Sequence, residues 1–124
     1  LSKIVINGQL TTLNQYINAE RRNKYIAGSI KRKETRRCAD SALKYLEDNP
    51  NVKIEFPANI HIIWYRENKR SDPDNIAFAI KFIFDGLMEA GLLENDNWVN
   101  IKKIEHDFEI DKDNPRVEVY FKEE

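Results

Sequence analysis

The stretch VKIEFPANIHIIWYRENKRSDPDN, Val52 to Asn75, decides how this chain folds. Val52, Ile54, Phe56, Ala58, Ile60, Ile62 and Trp64 alternate with Lys53, Glu55, Asn59 and His61. That period of two predicts a strand over 52–65 with one face on a core. Pro57 falls on the outward face and has no N–H for a ladder, which argues for an edge strand or a bulge there. A polar exit, Glu67-Asn68-Lys69-Arg70, then leads to Ser71-Asp72-Pro73-Asp74-Asn75. Asp-Pro and Asp-Asn form turns, and an aspartate at a helix start accepts from free backbone N–H groups. Asp72 or Asp74 is therefore expected as an N-cap. Capping accounts for one carboxylate. It leaves the second unexplained, because like charges so close repel unless a cation lies between them.

Downstream, Ile76, Ala79, Ile80, Ile83, Leu87 and Ala90 repeat at helical spacing, predicting a helix over 75–90 closed by Gly91. Phe78 and Phe82 leave that stripe, and either pack under a neighbouring loop or meet a second copy of the chain. Asn95-Asp96-Asn97 adds a third acid after the helix. Hard oxygen donors of this kind suit Mg²⁺ or Mn²⁺. A strand is expected over 98–110, with a bulge near Lys102-Lys103 where the alternation slips. Asp111 to Pro115 reads as a hairpin turn, Arg116 to Phe121 as the returning strand with Val117, Val119 and Phe121 inward, and Lys122-Glu123-Glu124 as a solvated tail.

Upstream, Leu1 to Ile6 reads as a first strand turned by Asn7-Gly8. Residues 9–28 have weak periodicity and are expected to form a long, partly mobile loop. Ser29 caps a helix running to Asp48, with Ala39, Ala42, Leu43 and Leu46 on one face and Asn49-Pro50-Asn51 as its stop. The order β-α-β-α-β-β implies an α+β fold, a mixed sheet covered by two main helices, in one domain spanning 1–124.

A chain of 124 residues with 41% hydrophobic and 33% charged residues suits one globular domain. No apolar run approaches the roughly 20 residues of a membrane helix, and no signal peptide is visible. The single cysteine, Cys38, excludes an internal disulfide and reads as a small buried hydrophobe in a cytoplasmic protein. The net charge of −1 conceals a strong asymmetry. Arg21, Arg22, Lys24, Lys31, Arg32, Lys33, Arg36 and Arg37 oppose only Glu20 and Glu34, a net +6 in residues 20–37 that leaves −7 elsewhere. An arginine-rich block of this kind suits nucleic-acid phosphates, which guanidinium groups grip bidentately. With Lys69 and Arg70 it makes the candidate DNA-binding set.

Together, Arg70-Ser71-Asp72-Pro73-Asp74-Asn75, Phe84-Asp85-Gly86-Leu87, Ala90-Gly91-Leu92-Leu93 and Asn95-Asp96 resemble the RusA family of Holliday junction resolvases. The likeness is close over residues 60–104 and looser elsewhere. It implies a homodimeric, Mg²⁺-dependent endonuclease that nicks two opposed strands of a four-way DNA junction. It also implies that Asp72, Asp74 and Asp96 form the metal site, in a chain of prophage type acting in the host cytoplasm. The family pattern has a lysine four residues after its second aspartate, where this chain has Phe78. Lys81 is the nearest lysine, and Arg70 and the basic block are the other candidates for its role. His61 and His106 sit within strands and read as structural. The rival expectations are a junction- or RNA-binding module without catalysis, and a less selective flap or fork nuclease.

Overall fold

Along the chain run β1 (Ile4–Asn7), α1 (Leu13–Arg22), α2 (Lys24–Asp48), β2 (Ala58–Arg66), α3 (Pro73–Ala77), α4 (Ile80–Glu89), β3 (Ile101–Ile110) and β4 (Arg116–Lys122). This is a computed structural model describing residues 2–122. Leu1, at the expected start of the first strand, and the tail residues Glu123 and Glu124 lie outside it. The fold is α+β, and its strands form one mixed sheet in the order β1-β4-β2-β3.

β3 runs parallel to β2, and β4 runs antiparallel to both β1 and β2. A parallel pair needs a crossover, which α3 and α4 supply. The expected hairpin over 111–115 is corrected, because β4 does not pair with β3 but inserts between β1 and β2. Burial explains the choice. Val117, Glu118 and Val119 are all buried, as a central strand requires, whereas Lys102, Lys103, Asp107 and Glu109 of β3 are exposed, as an edge tolerates. β2 is correspondingly internal, so of the edge or bulge expected at Pro57 the edge is corrected, while the register of β2 on β3 shifts at the adjoining Ala58/Asn59. The strand expected over 52–65 is corrected to Ala58–Arg66: residues 52–57 are not in a strand, and Pro57 therefore removes no ladder hydrogen bond. The bulge expected at Lys102-Lys103 is present: Ala58 pairs with Ile101 and Asn59 with Lys103, which skips Lys102.

Ile4, Ile6, Ala58, Ile60, Ile62, Trp64, Val117 and Val119 share one face of the sheet and one core with α2 and α4. α2 approaches α4 through small residues. A methyl group at Gly86 would lie 2.5 Å from Cys38 Cβ and 2.7 Å from the Ala39 nitrogen. This close approach selects Cys38, Ala39, Ala42 and Tyr45 as the buried line of α2 and leaves the expected core residue Leu43 half exposed. Burial pushes the Cys38 thiol up to about 12, which makes it inert.

The expected loop over 9–28 is instead helical. Thr12 and Gln15 form a reciprocal capping box that starts α1, and the Asn23 side chain accepts from Tyr25 N to start α2, six residues ahead of Ser29. Only Ala19 of α1 is buried, and its short apolar stripe, Leu13, Tyr16 and Ile17, is set in an otherwise polar segment. The role of α1 is nevertheless specific. Tyr16 lies 5.5 Å from the Phe78 ring and 6.2 Å from the Phe82 ring, covering both. Phe82 is 2% exposed and thus belongs to the core of its own chain, not to an interface with a second copy.

The expected helix over 75–90 is divided at Phe78-Ala79, where Ala79, Lys81 and Phe82 donate to carbonyls three residues back and tighten the turn. Its end is as expected. Gly91, with φ +80°, donates to Met88 O while Leu92 donates to Leu87 O, the paired bonds of a left-handed glycine cap.

Candidate functional site

Asp72 and Asp74 stand where β2 hands over to α3, at the end of the sheet that the 67–71 loop caps. Asp72 is the N-cap residue of α3, yet its carboxylate makes no capping hydrogen bond; its backbone carbonyl accepts from Ile76 N instead. Asp74 Oδ1 accepts from Asn75 N at 2.9 Å. Both carboxylates are exposed. Asn75 Oδ1 accepts from Asn14 N at 2.8 Å, which fastens this turn to the first turn of α1. Lys69 and Arg70, both exposed, lead directly into it.

Asp96 belongs to a different local group. Lys81 Nζ lies 3.2 Å from Asp85 Oδ1 and 3.4 Å from Asp96 Oδ2, so one ammonium bridges two carboxylates. The hydrogen bond to Asp85, with Asp96 beside it, raises the Lys81 ammonium above the ordinary lysine value. The loop that carries Asp96 is wound by its own asparagines. Asn95 Oδ1 accepts from Asn97 N and from Asn100 Nδ2, and Asn97 Oδ1 accepts from Val99 N. This turn holds Trp98 outward, 95% exposed.

The donor chemistry of Asp72, Asp74 and Asp96 matches Mg²⁺ or Mn²⁺. Their arrangement is less complete. Among the described residues no group of three or more His, Cys, Asp or Glu side chains is close enough together to hold a metal ion. The fold thus presents the Asp72–Asp74 pair and the Lys81–Asp85–Asp96 cluster as two parts. Lys81 does engage one of the expected acids, and Phe78, at the position of the family lysine, is packed against Tyr16 and Phe82.

The basic block lies on the end of α1 and the first half of α2. Arg21, Arg22, Lys24, Lys31, Arg32, Lys33 and Arg36 are exposed. Arg21 and Arg22 also sit in the last turn of α1, where the helix dipole favours cations. Arg36 meets Asp40 at 3.5 Å on the surface. Arg37 differs from the rest. Its guanidinium binds Glu34 Oε1 at 2.9 Å, the Gln9 carbonyl at 3.1 Å and the Asn7 carbonyl at 2.6 Å, which ties α2 to the end of β1.

Two residues escaped the sequence reading. Asp85, four residues after Lys81, was visible as an i,i+4 ion pair. Arg66 continues the inward parity of Ile60, Ile62 and Trp64, so a cation at a core-facing position was the signal. Both histidines are engaged by neighbouring side chains of the sheet. His106 Nδ1 accepts from Trp64 Nε1 at 2.9 Å, and His61 Nε2 pairs with Asp107. No family model, curated protein or solved structure matches this chain.

Proposed function

We propose that the chain is a Mg²⁺-dependent, structure-selective endodeoxyribonuclease acting on four-way DNA junctions as a homodimer. The observation that carries this reading is the Asp72–Asp74 pair: two exposed carboxylates on one turn, one of them the N-cap residue without a capping bond. The likeness of the surrounding sequence to junction resolvases supplies the substrate class. In this reading Asp72, Asp74 and Asp96 would hold the ion (Mn²⁺ is an alternative). A bound divalent ion lowers the pKa of its water and neutralises phosphate charge. The chain's own part is to position the strand. Arg21, Arg22, Lys24, Lys31, Arg32 and Lys33 hold duplex arms by charge and shape, and Lys69 and Arg70 hold the strand beside the acids. Lys81 would offset developing negative charge.

The dimer contact in this reading is the open edge at β3. Ile104, Phe108 and Ile110 are 41%, 37% and 46% exposed there, on the face that the helices cover elsewhere. An antiparallel pairing of two β3 strands centred on His106 sets Ile104 against Phe108 and Lys103 against Glu109. A twofold dimer suits paired nicks on a twofold junction. Sedimentation at micromolar concentration tests this part, and a monomer would remove it.

A second reading, a branched-DNA- or RNA-binding module without catalysis, is favoured by one specific observation, the engagement of Asp96 by Lys81. A labelled immobile junction with Mg²⁺ separates the two. Paired symmetric nicks support the nuclease, tight binding without cleavage supports the module, and equal cutting of flaps and forks removes the junction selectivity.

A further inference from the structure

Between the Gln9–Thr11 segment, the side of α2 and the end of β2 lies a recess of about 200 Å³, walled in part by Gln9, Thr11, Lys33, Glu34, Arg37 and Arg66. Drug-sized ligands need about 300 Å³ or more, whereas one water takes about 30 Å³. The recess therefore suits a small ion with its waters. Its charge decides the sign of that ion. Glu34 is already answered, by Arg37 Nη1 at 2.9 Å on one oxygen and by Thr11 N at 2.7 Å on the other. Lys33 and Arg66 remain, and neither side chain has a hydrogen-bond or ion partner among the described residues.

Arg66 is the unusual one. It follows Trp64 on the inward face of β2, so its guanidinium is half-buried. Burial lowers its pKa from the ordinary arginine value, and the neighbouring Glu67 offsets this only in part. Such a group destabilises the free protein, and its planar fork of donors matches an oxyanion with two adjacent oxygens. We propose that this recess binds one phosphate group, with Arg66 as the bidentate donor and Lys33 closing over it from α2. The chemistry is shared by free phosphate and by a backbone phosphate of a nucleic-acid strand. Gln9 Oε1 accepts from Glu67 N in the loop that leads to Asp72. A strand running toward the aspartates therefore places a phosphate here. The inference deepens the reading above and rests on it for the source of the phosphate alone.

Inorganic phosphate titrated into the full chain, followed by the backbone amide resonances of residues 9–11, tests the site. Saturable shifts are expected for the wild type, weakened at least tenfold in Arg66→Gln and less in Lys33→Gln. Arg66→Gln is also expected to melt no lower than the wild type, since it removes an unpaired half-buried charge; a marked fall in Tm would make Arg66 structural and overturn the proposal. On DNA, Arg66→Gln should reduce the slope of log K against log salt by about 0.9, one lost phosphate contact. Loss of phosphate binding with an unchanged DNA slope supports the recess and assigns it to free phosphate. DNA binding by the wild type with no Arg66-dependent response to phosphate or salt overturns the recess. Phosphate binding without any DNA binding keeps the recess and overturns the nucleic-acid reading.

Discussion

Glu34 and Glu118 are 3% and 2% exposed, while Asp72 and Asp74 lie on the surface. The two buried acids are surrounded by donors. Glu34 takes Arg37 and the Thr11 amide, and Glu118 takes Lys3 at 3.1 Å, Arg116 Nε at 2.7 Å and Tyr120 Oη at 2.7 Å. Burial alone would raise Glu118; the hydrogen bonds from Tyr120, Arg116 and Lys3 outweigh it and hold the carboxyl below its usual value. Asp72 and Asp74 have no cationic partner among the described residues. A carboxylate that serves the fold must be neutralised by it, because an unpaired buried charge is costly. A carboxylate kept for a ligand stays in water with its lone pairs open. Asp96 is intermediate, exposed yet held by Lys81.

The largest effect expected from breaking this contrast is Glu118→Ala. It removes the acceptor shared by Lys3, Arg116 and Tyr120 on the outer face of the sheet, leaving Arg116 with Asp111 at 2.7 Å, and should cost about 3 kcal/mol in denaturant unfolding. A loss below about 1 kcal/mol would mean that the network is ornamental. Glu34→Gln is expected to cost less, about 1–3 kcal/mol, because Arg37 keeps the Asn7 and Gln9 carbonyls.

Acid should separate the two classes as well. His106 is held below the ordinary histidine value by burial, with the nearby His61 adding to it. Its contribution is complete above about pH 6.5, the unfolded value, and is lost as pH falls through the lower folded value. Glu118 follows the same sign at lower pH. Its stabilisation is complete above about 4.3 and lost as pH falls through its depressed folded value. A plot of Tm against pH should therefore fall in two stages. His106→Gln should flatten the upper stage and leave the lower one.

The smallest stability effects belong to the exposed pair. Asp72→Asn and Asp74→Asn should each change stability by no more than about 0.5 kcal/mol, yet abolish cleavage and leave DNA binding intact or tighter. Normal turnover in Asp74→Asn with Mg²⁺ would separate the pair from catalysis. Asp96→Asn sharpens the intermediate case. Lost cleavage with unchanged stability would place Asp96 with the proposed ion-holding pair, and destabilisation alone would place it with the structural acids.

The local chemistry of this chain was legible from its residues. Alternation over 52–65 marks a strand because a half-buried sheet surface demands it, although only Ala58 onward joins the sheet, and Gly91 marks a helix end because few other residues accept φ +80°. The basic block and the Asp72–Asp74 turn also follow from residue type and spacing. Where neighbours decide, the reading stopped. Helix α1 is held by a cap and by Tyr16 over two phenylalanines, and its stripe of Leu13, Tyr16 and Ile17 is too short to announce a helix in so polar a segment. Arg37 is indistinguishable from Arg36 by composition, but faces Glu34 and two carbonyls once α2 lies beside β1.

Strand order is the clearest division between the two kinds of information. Sequence proximity favours a hairpin between β3 and β4, since a short turn closes at little entropic cost. The tertiary structure inserts β4 beside β2 instead, because Val117 and Val119 bury a face there while the charged residues of β3 stay in water. Periodicity determined which faces of the strands are apolar. Only packing of the whole chain decided which strands became neighbours, and so which charges were paired and which, at Asp72, Asp74 and Arg66, were left open.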